Sequence, residues 1–232
     1  LLEHIFRVMF KPVASIAKNV NATMARLNLV EGRYTSVHMR ARYPTKHIEQ
    51  IVGTEHIKGY DEGSYVEAFD GKYMSYILDL TSNALECGLS LDKKKIPIFF
   101  ISDSNDLVNH VITNEIPLNN NNTIVQAVGV GQRSISKHID ACNSSSSEAS
   151  MEESYYPLFE DLLIMGGSKC VAHGVGSYGA FGAGLAGNRC SALHRRFTGI
   201  PLKCPNNDTV PMYVDIANNS WSLAQNESIS IE

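Results

Sequence analysis

A chain of 232 residues that is 44% hydrophobic is long enough to bury one large core or two small ones. Its formal charge of -4 supplies no field that would recruit nucleic acid or an anionic membrane, and its longest basic run is Lys93 to Lys95. No stretch of about 18 uninterrupted apolar residues occurs; the greasiest passage, residues 171–187, carries His173 and is mostly glycine and alanine.

In chain order, residues 12–29 place Val13, Ile16, Ala17, Val20, Met24 and Leu27 at helical spacing and predict an amphipathic helix. Residues 34–39 are β-rich and end in a polar cluster, as a buried strand does at the carboxyl edge of a sheet. Residues 43–71 have no clean period and read as a long loop with at most a short helix. Helical period returns over residues 72–89, with Gly88 as the expected stop. Ile96 to Ile101 form a continuous apolar run of strand length, followed by Ser102, Asp103 and Ser104. A helical turn or two over residues 105–111, a third strand over 123–128, a polar loop over 143–150, a short helix over 157–165, a fourth strand over 169–173 and a small-residue helix over 177–186 complete the pattern. This alternation predicts an α/β fold: a Rossmann-like parallel sheet with helices on both faces, spanning residues 1–196, and then an irregular tail over 197–232.

Leu1 opens inside an amphipathic pattern, so the chain reads as a piece of something longer whose signal peptide or membrane anchor would lie upstream. Six acceptor sequons, at Asn21, Asn121, Asn143, Asn207, Asn218 and Asn226, point to the lumen of the secretory pathway and to glycosylation. The five cysteines (Cys87, Cys142, Cys170, Cys190, Cys204) lack zinc-like spacing, so no metal site is expected. They read as one or two disulfides, with free buried thiols the alternative.

Three polar clusters stand at predicted strand ends: His38, Arg40 and Arg42; Asp103 and Ser104; and the segment from His173 to Tyr178. In an alternating sheet such ends share one edge, where ligands bind. Arg40 is the sharpest candidate, because a planar guanidinium suits bidentate contact with phosphate oxygens; the competing reading is an ion pair with Asp103 or Asp161. Arg42 reads either as a second phosphate contact or as a solvated loop residue. His38 sits within the strand, where a core histidine bonded to a neighbouring loop is the more ordinary role. Asp103 either accepts hydrogen bonds from a base or ribose, or caps the helix near Asn105. Gly174, Gly176 and Gly179 spell GxGxxG before a helix starting at Ser177 and Tyr178. Glycines there let a phosphate approach the N–H groups of the helix start, or let the helix pack closely on the sheet.

In this order and spacing the clusters resemble the donor-binding region of the fucosyltransferase superfamily, which includes protein O-fucosyltransferases, α1,6-fucosyltransferases and related bacterial nodulation enzymes. The resemblance covers residues 12–190. It rests on His38-x-Arg40 at the end of a strand, on the hydrophobic strand ending in Ser102, Asp103 and Ser104, and on the helix with Asp161 followed by a strand and the turn into Ser177. The turn carries Gly176 before a lone Ser177 where the family usually has two hydroxyls, and Ala41, Arg42, Tyr43 and Pro44 follow the first motif. The resemblance implies the C-terminal domain of a two-domain GT-B enzyme that takes GDP-fucose as donor substrate, needs no cofactor or metal, and transfers fucose with inversion to a glycan or protein hydroxyl in the Golgi or endoplasmic reticulum. The N-terminal acceptor domain would lie outside this chain, as would any membrane anchor. The same resemblance implies donor contacts from His38, Arg40, Arg42, Asp103, Ser104, Asp161, Gly174, Gly176, Ser177 and Tyr178, with Arg40 stabilising the leaving GDP. A base for the acceptor hydroxyl is sought in the loop after Arg42, with Glu55 the first choice. Two alternatives stand beside this one: a nonenzymatic lumenal or cell-surface domain keeping the fold, and an NAD(P)-binding oxidoreductase built on the glycine turn.

Overall fold

The computed structural model describes residues 5, 11–44, 65–67, 69, 71–92, 96–118, 124–131, 148–174, 177–187, 190–195, 204, 212–215 and 220–223. Helix α1 (Ala14–Arg26) is amphipathic, as its spacing predicts, and ends at Leu27. Asn28 then takes φ 54, while the Leu29 N–H reaches the Met24 carbonyl at 2.8 Å and the Asn28 N–H reaches Ala25 at 3.2 Å. This is the pairing that satisfies the last carbonyls of a helix, with asparagine in the left-handed position usually held by glycine. The chain turns straight into β1 (Thr35–Met39), buried along its whole length.

Strand β2 (Arg42–Pro44) pairs antiparallel with β3 (Tyr65–Glu67), so the two ends of the long expected loop are zipped together. A single 3-10 turn at Gly71–Tyr73 leads into α2 (Met74–Leu91). That helix does not stop at Gly88. A Cβ on Gly88 would lie 2.5 Å from Cγ2 of Val37, so this glycine marks the closest approach of α2 to β1, not a helix terminus.

Strand β4 (Ile98–Ser102) is followed by α3 (Asn105–Thr113). The expected third strand over 123–128 is broken up: β5 (Ile116–Pro117) and β6 (Ile124–Val125) form a short antiparallel pair, and Val128 makes one parallel bridge to Phe99. The helix expected at 157–165 is α4 (Glu148–Gly166) and contains Pro157. A proline fits the first turn of a helix so well that it reads as a start, although here the helix continues through it. Strand β7 (Cys170–His173) and α5 (Ser177–Leu185) fall where their patterns predict. A further strand, β8 (Ser191–Leu193), was not foreseen, nor was the antiparallel pair β9 (Met212–Asp215) and β10 (Ser220–Leu223) inside the segment expected to be irregular.

The main sheet is parallel throughout, in the order β4-β1-β7-β8. Val37, Met39, Phe100, Ala172 and Ala192 face a core shared with α2 and α3. Phe99, Ile101 and Val171 face a second core shared with α1, α4 and α5. The fold is therefore an α/β, Rossmann-like sheet with helices on both faces. Two disulfides, Cys87–Cys204 and Cys170–Cys190, tie α2 to the C-terminal segment and β7 to the start of β8. Such bonds are compatible with an oxidising compartment. Among the described residues no helix is long and apolar enough to cross a membrane. Asn21 is exposed on α1; the other five sequons lie outside the described residues.

Candidate functional site

The strand order places a topological switch point between β1 and β7: from β1 the chain moves to one side to form β4, then returns across β1 to form β7. Ligands of open α/β sheets bind beyond the carboxyl ends of the strands at this point. The register sets Met39 opposite Ser102 and His38 opposite His173. Arg40 and Asp103 therefore leave the sheet side by side, and the segment after His173 leaves it on the other side of β1.

Asp103 does not cap α3. Ser104 does, its hydroxyl accepting from the Leu107 N–H at 3.1 Å, and Asp106 adds a negative charge to the first turn. The Asp103 carboxylate turns to the residues after β1 instead: one oxygen accepts the Ala41 N–H at 2.6 Å and the Arg42 N–H at 3.1 Å. Arg40 Nε donates to the Arg42 carbonyl at 2.9 Å, so the side chain folds over the turn that Asp103 holds. Arg42 is half-buried and opens β2, in register with Glu67.

On the β7 side three histidines converge: His38 and His173, which belong to the polar clusters expected at the strand ends, and His194, which does not. His38 is buried, its Nδ1 has no hydrogen-bond partner among the described residues, and its ring lies 5.2 Å from the ring of Tyr178. Burial lowers its pKa to about 3, with the nearby His194, His173, Arg40 and Arg195 pushing the same way. His194, one residue past β8, is fully buried, and its Nε2 donates to the His38 carbonyl at 3.0 Å. Burial likewise lowers its pKa to about 3, outweighing the opposing pull of that bond. His173 also titrates below its ordinary range because of burial. Arg195 follows His194, is 1% exposed, and is bonded to the Tyr76 hydroxyl from α2. The signal that could have found His194 and Arg195 was present: a short apolar stretch ending in a polar cluster, as at the other strand ends, but only three residues long.

The glycines are explained by these neighbours. A Cβ on Gly174 would meet the His194 ring at 3.0 Å, and one on Gly179 would meet His38 Nδ1 at 2.7 Å and His173 Cβ at 2.8 Å. Close packing accounts for both, and the same approach brings the first turn of α5 down onto the ends of β1 and β7. Ser177, its first residue, is exposed there. The first N–H groups of a helix have no acceptor within it, so that end of α5 carries partial positive charge. The Tyr178 hydroxyl donates to the Leu158 carbonyl of α4 at 2.7 Å. Asp161 is half-buried one turn further along α4, and its neighbour Glu160 bonds Asn19 of α1 at 2.8 Å. Gly176 and Glu55 lie outside the described residues. Comparison with protein-family models, with curated proteins and with solved structures finds no match to this chain.

Of the expected site residues, His38, Arg40, Asp103, Gly174, Ser177 and Tyr178 are thus gathered at one edge. Chemically the edge offers a guanidinium on a braced turn, an exposed hydroxyl at a helix start and three histidines that are neutral at ordinary pH. That set suits an anion better than a cation.

Proposed function

We infer that the chain binds a nucleoside diphosphate sugar, GDP-fucose by preference, as the donor half of an inverting glycosyltransferase of the secretory pathway. The carrying observation is Arg40 at the carboxyl end of β1, the strand that flanks the switch point, with its Nε seated on the following turn. The start of α5 on the other side of that point supplies a second positive pole for a diphosphate. The resemblance of the three strand-end segments to fucosyltransferases supports fucose as the sugar, and two disulfides together with the sequons support the Golgi or endoplasmic reticulum lumen.

In the reaction the acceptor hydroxyl oxygen attacks the anomeric carbon while the bond from that carbon to the diphosphate oxygen breaks. The sugar is inverted, the acceptor proton passes to a base, and GDP leaves with the bonding electron pair. Negative charge grows on the departing diphosphate, and Arg40 opposes it in a site where the donors are already in place.

Calorimetry with the full-length protein tests this. GDP and GDP-fucose are expected to bind and NAD is not. Arg40→Ala is expected to remove a charge-assisted contact of about 1.5–3 kcal/mol, weakening GDP roughly 10- to 100-fold. A folded protein that ignores GDP, or binds it equally well without Arg40, sinks the reading.

A further inference from the structure

The geometry points to Asp103 as a positioning residue that aims Arg40 through the peptide groups of Ala41 and Arg42, without itself touching the nucleotide; the inference rests on the nucleotide-binding role of Arg40. Parallel pairing of β1 with β4 ends at Met39 and Ser102, so the next residues of both strands emerge together. Two consecutive peptide N–H groups then converge on a single oxygen of Asp103, at 2.6 and 3.1 Å. N–H groups of adjacent residues point the same way only where the chain curls, so the carboxylate stabilises the curl itself. Ser104 takes over the capping of α3, so the Asp103 carboxylate is not used there; the Ser102 hydroxyl also lies 3.5 Å from the oxygen that holds the turn. The third link is Arg40 Nε on the Arg42 carbonyl at 2.9 Å, which makes the direction of the guanidinium depend on the same turn. What Arg40 needs from Asp103 is thus an acceptor oxygen in one place.

An amide keeps such an oxygen and a methyl group does not, so asparagine and alanine separate the two roles. With the full-length protein and GDP as probe, Asp103→Asn is expected to bind within about threefold of the parent, whereas Asp103→Ala is expected to lose about tenfold or more, as Arg40→Ala does. The double variant D103A/R40A is expected to bind no more weakly than R40A alone, because residues acting in series do not add. Additive losses, or a D103N loss as large as that of R40A, overturn the positioning role and leave that of Arg40 standing. Should D103A fail to fold, the D103N comparison decides in the same sense. A second readout is independent of nucleotide: amide exchange at Ala41 and Arg42 is expected to be slow in the parent and in D103N, and fast in D103A. Fast exchange in the parent overturns the inference even if GDP never binds, and slow exchange without GDP binding overturns only the reading of Arg40.

Discussion

His194 joins three strand ends through one residue. Its ring crosses Gly174 to reach the His38 carbonyl, its own N–H bonds the His173 carbonyl at 2.9 Å, and its carbonyl accepts from Asn83 of α2 at 2.7 Å. Because Nε2 donates, Nδ1 is the bare nitrogen, and it is buried with no hydrogen-bond partner among the described residues. A proton there would charge a dry site near Arg195, which is why the folded value drops to about 3. The unfolded chain takes up that proton near pH 6.5. Stability is therefore complete above about pH 6.5 and falls as the pH drops toward 3, since the unfolded state binds protons that the native state refuses. For His38 and His194 the slope is on the order of 1 kcal/mol per pH unit each. Urea unfolding at about pH 7.5 and pH 5 is expected to show the loss, and His194→Gln is expected to flatten it by one histidine's share. Equal stability at both pH values would contradict the burial of neutral rings.

The contact of α2 with β1 gives the clearest test at the level of elements. Alanine is the better helix former by about 1 kcal/mol, so propensity alone would make Gly88→Ala stabilising. Its Cβ would sit 2.5 Å from Val37, a branched side chain in a fully buried strand, and overpacking of this kind costs about 1–3 kcal/mol. The net expectation is a less stable protein, with Val37→Ala relieving part of the loss in a double-mutant cycle; a stabilised G88A would show that the helix can slide away. The same glycine explains a failure of the sequence reading. Locally, a glycine at the end of an apolar pattern reads as a helix stop, and only the strand packed against it reveals the other role. Strand β4 was legible because its apolar run is continuous, and β1 because a short β-rich segment runs into a polar cluster. Strand β8 was not, being three residues long with two of them only half-buried, too short to show any period. The site was legible as a set of polar strand ends, yet the separate tasks of Asp103 and Ser104 were not, since either can cap a helix and hydrogen bonding to a distant turn leaves no local trace.

Across the whole molecule, the disulfides constrain very different lengths of chain. Cys87–Cys204 spans 117 residues of sequence, and Cys170–Cys190 spans 20, enclosing the glycine turn and α5. Loop-closure entropy puts the shorter near 3 kcal/mol and the longer near 5 kcal/mol. Chemical denaturation of the paired serine variants is expected to rank them in that order, and a reversed ranking would mean that native packing, not chain entropy, governs the loss. Which strands become neighbours was beyond the reach of periodicity, because each strand pattern reports burial and not its partner. The consequence shows most clearly in the central pair, where Thr35 sits opposite Cys170. A nascent chain can join β1 to β4 once Ser102 has emerged, but the other edge of β1 stays open until β7 is made. For that interval the ribosome carries a bare strand edge, the kind of surface that recruits stray strands and the chaperones that guard against them. The switch point between β1 and β7, beyond which the candidate site lies, is thus completed only after residues 170–173 have been made.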